Sequence, residues 1–149
     1  MRVKKLDVAS LSKRVGLNDG VLVLRPTAKE MFEISKSEIG DLISDDLLVC
    51  DFQEIYDCSS SFVDEFVLTW QRVINKQKNT MLILINTNED VQYTVEAALN
   101  QRNRISNESL SLIAHINDKF VVFGRKLEKN ALQVFELMAN GGHVTAREV

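Results

Sequence analysis

Apolar and polar positions divide this chain into short blocks of two kinds. Leu47-Leu-Val-Cys-Asp-Phe52 and Thr80-Met-Leu-Ile-Leu-Ile-Asn86 are nearly continuous apolar runs. They are too short for buried helices and fit strands covered on both faces. Other blocks repeat at helical spacing. Asp7 can cap a short helix with Val8, Leu11 and Val15 on one face and Gly16 at its C-terminal stop. Val21–Arg25 reads as a strand. Thr27-x-x-Glu30 has the form of a capping box, opening a helix with Ala28, Met31, Phe32, Ser35 and Ile39 inward. Ser59-Ser-Ser61 precedes a helix carrying Phe62, Phe66, Trp70 and Ile74. Thr87-x-x-Asp90 can cap another, with Val91, Val95, Ala98 and Leu99 on its stripe. Ser109–Ile116 alternates like a strand, and Asn117-Asp-Lys turns it into a hairpin with Phe120–Gly124.

Strands alternating with helices predict an α/β fold with a mixed, mostly parallel sheet over residues 1–125. The two doubly apolar runs are expected at its centre. From residue 126 to 149 the pattern is helical only: Leu127, Ala131, Val134, Phe135 and Met138 share a face, and Asn140-Gly-Gly142 stops it. A capped start at Thr145 then gives this helical extension the look of an incomplete helix-turn-helix, without a recognition helix. Ala9–Gly16 alone also passes for such an opening, but a strand follows it.

Composition narrows the function classes. The chain has 149 residues, 45% apolar and 26% charged, with a net charge of −3. That balance excludes a generally basic nucleic-acid binder. Residues 1–100 carry 11 basic and 16 acidic side chains, and residues 101–149 carry 7 and 5, so only the C-terminal part is net positive. Two cysteines and one proline exclude a disulfide scaffold and a proline-rich linker. No run approaches a membrane span, and the basic start lacks the apolar stretch of an export signal. The cytoplasm is the expected compartment.

Catalytic patterns are missing. There is no phosphate-binding loop, nucleophile elbow or zinc-protease motif, so no enzyme activity and no cofactor are expected. His115 lies in a strand pattern and His143 in the late turn, neither with metal-ligand spacing. Cys50 and Cys58 read as small buried hydrophobes. The acids Asp45, Asp46, Asp51, Glu54, Asp57, Asp64 and Glu65 fit a Mg²⁺ site or, more simply, a solvated sheet edge and helix first turns.

The informative segment is Val49 to Glu65. A buried strand ends in Asp51, a turn contains Ile55 and Asp57, and Ser59, Ser60 and Ser61 fall where a helix starts. Hydroxyls there can cap the helix. They also sit where backbone N–H groups and the helix dipole favour an added phosphate.

This layout resembles the STAS domain of bacterial anti-sigma-factor antagonists, whose signature reads approximately Asp-Leu-Ser-x-Val-x-x-Ile-Asp-Ser-Ser-Gly. Asp51 and Phe52 match its opening, Ile55 its Val, and Cys58 its apolar position. Ser60 then falls on the phosphoacceptor. Ser59 stands where the family has the second acid, and Phe62 where it has the helix-opening Gly. The Ser-Phe-x-Asp-Glu run is similar to an uncharacterised STAS-like subgroup. The resemblance implies a non-enzymatic regulatory module acting by protein–protein contact. Ser60 would be its phosphoacceptor-like residue, and Ser59, Ser61, Asp57, Asp64 and Glu65 its partner-contact loop. It also implies a protein partner such as a kinase-like ATPase or an anti-sigma factor. The alternative is a DNA-binding regulator built on the C-terminal helices, although DNA binding by this chain alone is not expected.

Overall fold

The computed structural model of the chain describes residues 2–124. The helical extension and incomplete helix-turn-helix expected over residues 126–149 lie outside them. The first element is a strand absent from the sequence reading, β1 (Val3–Asp7). Its polar side chains hide it, because it is an edge strand with Lys4 and Lys5 at its centre. Asp7 then caps α1 (Val8–Arg14) as expected, its carboxylate accepting from the Ser10 N–H at 3.1 Å. Strand β2 is only Val21–Leu22, shorter than the expected Val21–Arg25.

The capping box at Thr27 does not form. Helix α2 spans Arg25–Ile39, so Thr27 is already inside it, and Leu24 takes the cap position with no side-chain hydrogen bond. Pro26 sits in the first turn, where its fixed φ suits a helix and its missing N–H costs nothing. Strand β3 (Leu47–Asp51) is buried along its whole length. A short β4 (Asp57–Cys58) pairs in parallel with β2. One continuous helical stretch follows: α3 (Ser60–Phe62), a π-helical turn (Val63–Val67) and α4 (Leu68–Asn75). Strand β5 is Met81–Ile85 and α5 is Glu89–Ile105. Asn88, not Thr87, caps α5, accepting from the Val91 N–H at 2.8 Å. Strands β6 (Ser111–Ile116) and β7 (Lys119–Gly124) form the expected hairpin. Asn117 and Asp118 both have positive φ, the backbone a tight two-residue hairpin turn requires.

The main sheet runs β1-β3-β5-β6-β7, parallel except for β7. The two doubly apolar runs therefore sit inside it, β3 between β1 and β5 and β5 between β3 and β6. One face, with Leu6, Leu48, Cys50, Leu82, Leu84 and Leu112, packs against residues of every described helix. Trp70 anchors that layer, edge-on to Phe32 and donating its indole N–H to the Ser35 hydroxyl at 3.0 Å. Among the described residues, the other face forms a separate cluster drawn from the strands. No described helix is long and apolar enough to cross a membrane.

Asn103 ties the end of α5 to β6. Its buried amide donates to the Leu110 carbonyl at 2.9 Å and accepts from the Leu110 N–H at 2.8 Å. Asn103→Ala strands both backbone groups and should cost about 2–4 kcal/mol. Urea unfolding of the two proteins checks this.

Candidate functional site

The serine segment is built from the backbone outward. Strand β4 brings the chain beside β2, where the Ser59 N–H donates to the Leu22 carbonyl at 2.9 Å. That bond fixes where the helix starts. The Ser59 hydroxyl accepts from the Phe62 N–H at 3.1 Å, making Ser59 the cap. Ser61 lies with its hydroxyl 3.1 Å from that of Ser59. Ser60 is the first helical residue, and its exposed side chain takes part in no hydrogen bond among the described residues. Asp57 is exposed too, its carboxylate accepting from the Cys58 N–H at 2.9 Å.

Asp64 does something different. Phe62, Val63, Asp64, Phe66 and Val67 are all buried, more of the circumference than an α-helical stripe covers. The π-helical turn provides that width. It turns the Asp64 carboxylate inward, 7% exposed, between two arginines from other helices. Arg102 of α5 donates Nε to Oδ1 at 2.8 Å and Nη2 to Oδ2. Arg25 of α2 donates Nη1 to Oδ2 at 2.6 Å and reaches Glu65 at 3.3 Å. Glu65 is half-buried at the rim. The reading of Asp64 as a first-turn dipole residue is therefore corrected: it is an ionic clamp joining α2, the π-helical turn and α5. These residues border a cleft of about 300 Å³ lined by Arg25, Ser60, Ser61, Asp64, Gln101 and Arg102.

Electrostatics follow from those contacts. Burial pushes the Asp64 carboxyl up, but hydrogen bonds from Arg102 and Arg25 outweigh it, and the group titrates below the usual carboxylate range. The same clamp raises both guanidinium groups. The other buried acids are likewise held singly and not as a solvated edge. Arg2 and the Ile43 N–H hold Asp46 down to about 2, while Lys5 lies 3.2 Å from Asp51 and Asn86 donates to it at 2.8 Å. Among the described residues no group of three His, Cys, Asp or Glu side chains is placed to hold a metal ion. His115 is half-buried against the Phe120 ring, and His143 lies outside the described residues. Burial pushes the Cys58 thiol up to about 12, with Asp57 adding to it, and raises the Cys50 thiol as well.

The structure thus brings Ser60, Ser61 and Asp64 to one cleft, with Glu65 joined to its Arg25 wall, while Ser59 and Asp57 are not among the residues that line it. Sequence reading missed Arg25 and Arg102 as members. They lie 39 and 38 positions from Asp64, and no local pattern links residues so far apart. Compared with family models, curated proteins and solved structures, the chain matches none.

The clamp predicts a pH dependence. Because the folded Asp64 titrates below its unfolded value near ~3.9, its contribution is complete above about pH 4 and is lost as pH falls through the folded value. Asp64→Asn should cost about 1–2 kcal/mol at pH 7, short of a fully buried pair because the arginines are partly exposed. It should also flatten the loss of stability below pH 4, read by denaturant melts across a pH series.

Proposed function

We propose that this chain is a non-enzymatic, STAS-like regulatory domain that acts by protein–protein contact and is switched at Ser60. The observation that carries the reading is the division of labour among the three serines. Ser59 caps the helix and Ser61 bonds to Ser59, while Ser60 presents an exposed hydroxyl with no structural task. A residue that stabilises nothing locally is free to carry a signal. The match of Asp51, Phe52, Ile55, Cys58 and Ser60 to the STAS signature supports the same reading, as does a parallel sheet leading into a helix at this point.

The electrostatics fit a switch that leaves the fold intact. A phosphate at Ser60 adds roughly −1.5 to −2 charge at a helix start. The dipole and the two arginines of the cleft favour it, while Glu65 and Asp57 oppose it. The added charge falls on an exposed side chain that makes none of the buried contacts. A protein partner docked on the loop, of the kinase-like ATPase or anti-sigma-factor kind, would feel that change directly.

Stability and binding separate the roles. Ser59→Ala should cost about 1 kcal/mol as a lost cap, whereas Ser60→Ala should stay within about 0.5 kcal/mol of the parent. Affinity purification with the parent, Ser60→Ala and Ser60→Asp chains then reads the switch. Ser60→Asp should lose or gain a retained protein relative to Ser60→Ala. Identical retained sets with all three chains sink the proposal.

A further inference from the structure

We propose that Arg25 is the receptor for a phosphate carried on Ser60, and that Arg102 is the anchor that leaves it free for that task. The inference deepens the reading of Ser60 as a switch and rests on it. The two arginines share the Asp64 carboxylate unequally. Arg102 grips it with its Nε–Nη2 edge, one nitrogen to each oxygen. Arg25 reaches it with Nη1 alone and uses the same atom on Glu65. Its Nε and Nη2 make no hydrogen bond among the described residues. They form an open edge able to grip a phosphate through two parallel bonds.

Placement supports the same assignment. Arg25 and Ser60 line one cleft of about 300 Å³, together with Ser61, Gln101 and Arg102. Ser60 lies one helical turn before Asp64, the residue Arg25 already holds. Leu24, just before Arg25, has a φ of 75°, a left-handed conformation that is strained for a leucine. It has no side-chain cap bond, and its side chain is 61% exposed. Neither packing nor capping accounts for that conformation. Setting the first residue of α2 against the cleft does.

The phosphate comes from a nucleoside triphosphate held by a kinase-type partner. The Ser60 Oγ attacks the γ-phosphorus, the bond to the diphosphate breaks, and the hydroxyl proton passes to a base of the partner. The resulting monoester carries roughly −1.5 to −2 charge. Glu65 repels it, whereas Asp64 is already neutralised by Arg102. Arg25 then exchanges its 3.3 Å contact with Glu65 for charge-assisted bonds to the phosphate. Half of its side chain is in water, against about a third for Arg102, so Arg25 is the one that can move without uncovering the clamp. A partner reading the switch meets an ordered phosphate–guanidinium pair beside a released Glu65.

Phosphoserine encoded at position 60 of the full chain, followed by ³¹P NMR across a pH series, tests this. The second ionisation of the phosphate, about 6 in a free chain, should fall by at least about 0.5 in the folded protein relative to the same protein in urea. Arg25→Gln should return it to the urea value. Lys36→Gln, which removes a charge about 16 Å further along α2, should not. If Arg25→Gln fails to fold, the parent decides: phosphorylation should shift the Arg25 Nε–H resonance and leave that of Arg102 in place. A folded value equal to the urea value overturns the site, as does a lowered value that survives Arg25→Gln. Failure of the switch is read separately, since identical retained proteins sink it whereas the phosphate titration alone decides the site.

Discussion

Strands β3 and β5 carry apolar side chains on both faces and cannot meet water on either. Such strands need neighbours in the sheet and a layer above and below it. The neighbours are β1 and β6, and the layer on one side is the set of helices from α1 to α5. On these two strands, polar side chains are left to the ends and to the loops that leave them. Asp46 and Asp51 mark the two ends of β3, each neutralised by a cation from β1 or the residue before it. The serine segment lies beyond the second of those ends. Its position is a consequence of where the apolar run stops.

Within that frame the ionic clamp on Asp64 sets the geometry of the cleft. A carboxylate this buried is expensive unless it is fully hydrogen-bonded, and its two arginines supply the bonds from α2 and α5. The three helical elements can then separate only by uncovering a charge. Arg25 is the more exposed partner of the two, with half its side chain in water, against about a third for Arg102. The serine loop is thus backed by a rigid wall whose outer member is the easier one to perturb.

The parts of this architecture legible in the sequence are those decided locally or by sheer apolarity. The runs 47–52 and 81–85 admit no polar face, so their central place follows from composition alone. Asp7 sits at its cap as the pattern around it requires, and the second cap falls within the expected serine triplet, at Ser59. Thr27 and Thr87 mislead for the opposite reason. Their capping patterns are real, but Pro26 lets α2 begin earlier, and Asn88 is the better-placed oxygen one residue on. Strand β1 was hidden because its pairing partner lies 44 positions away, Val3 opposite Leu47, and lysines occupy its middle. The clamp was hidden by the same kind of distance.

The two cysteines carry a practical corollary. Both are buried, unpaired and held as thiols well above neutral pH. Thiolate is the reactive form, so oxidants and alkylating reagents find almost none of it here. Changes in cellular redox state leave such a fold indifferent. A single cysteine placed on its surface would be the one site that maleimide labels, with both natural cysteines left where they are.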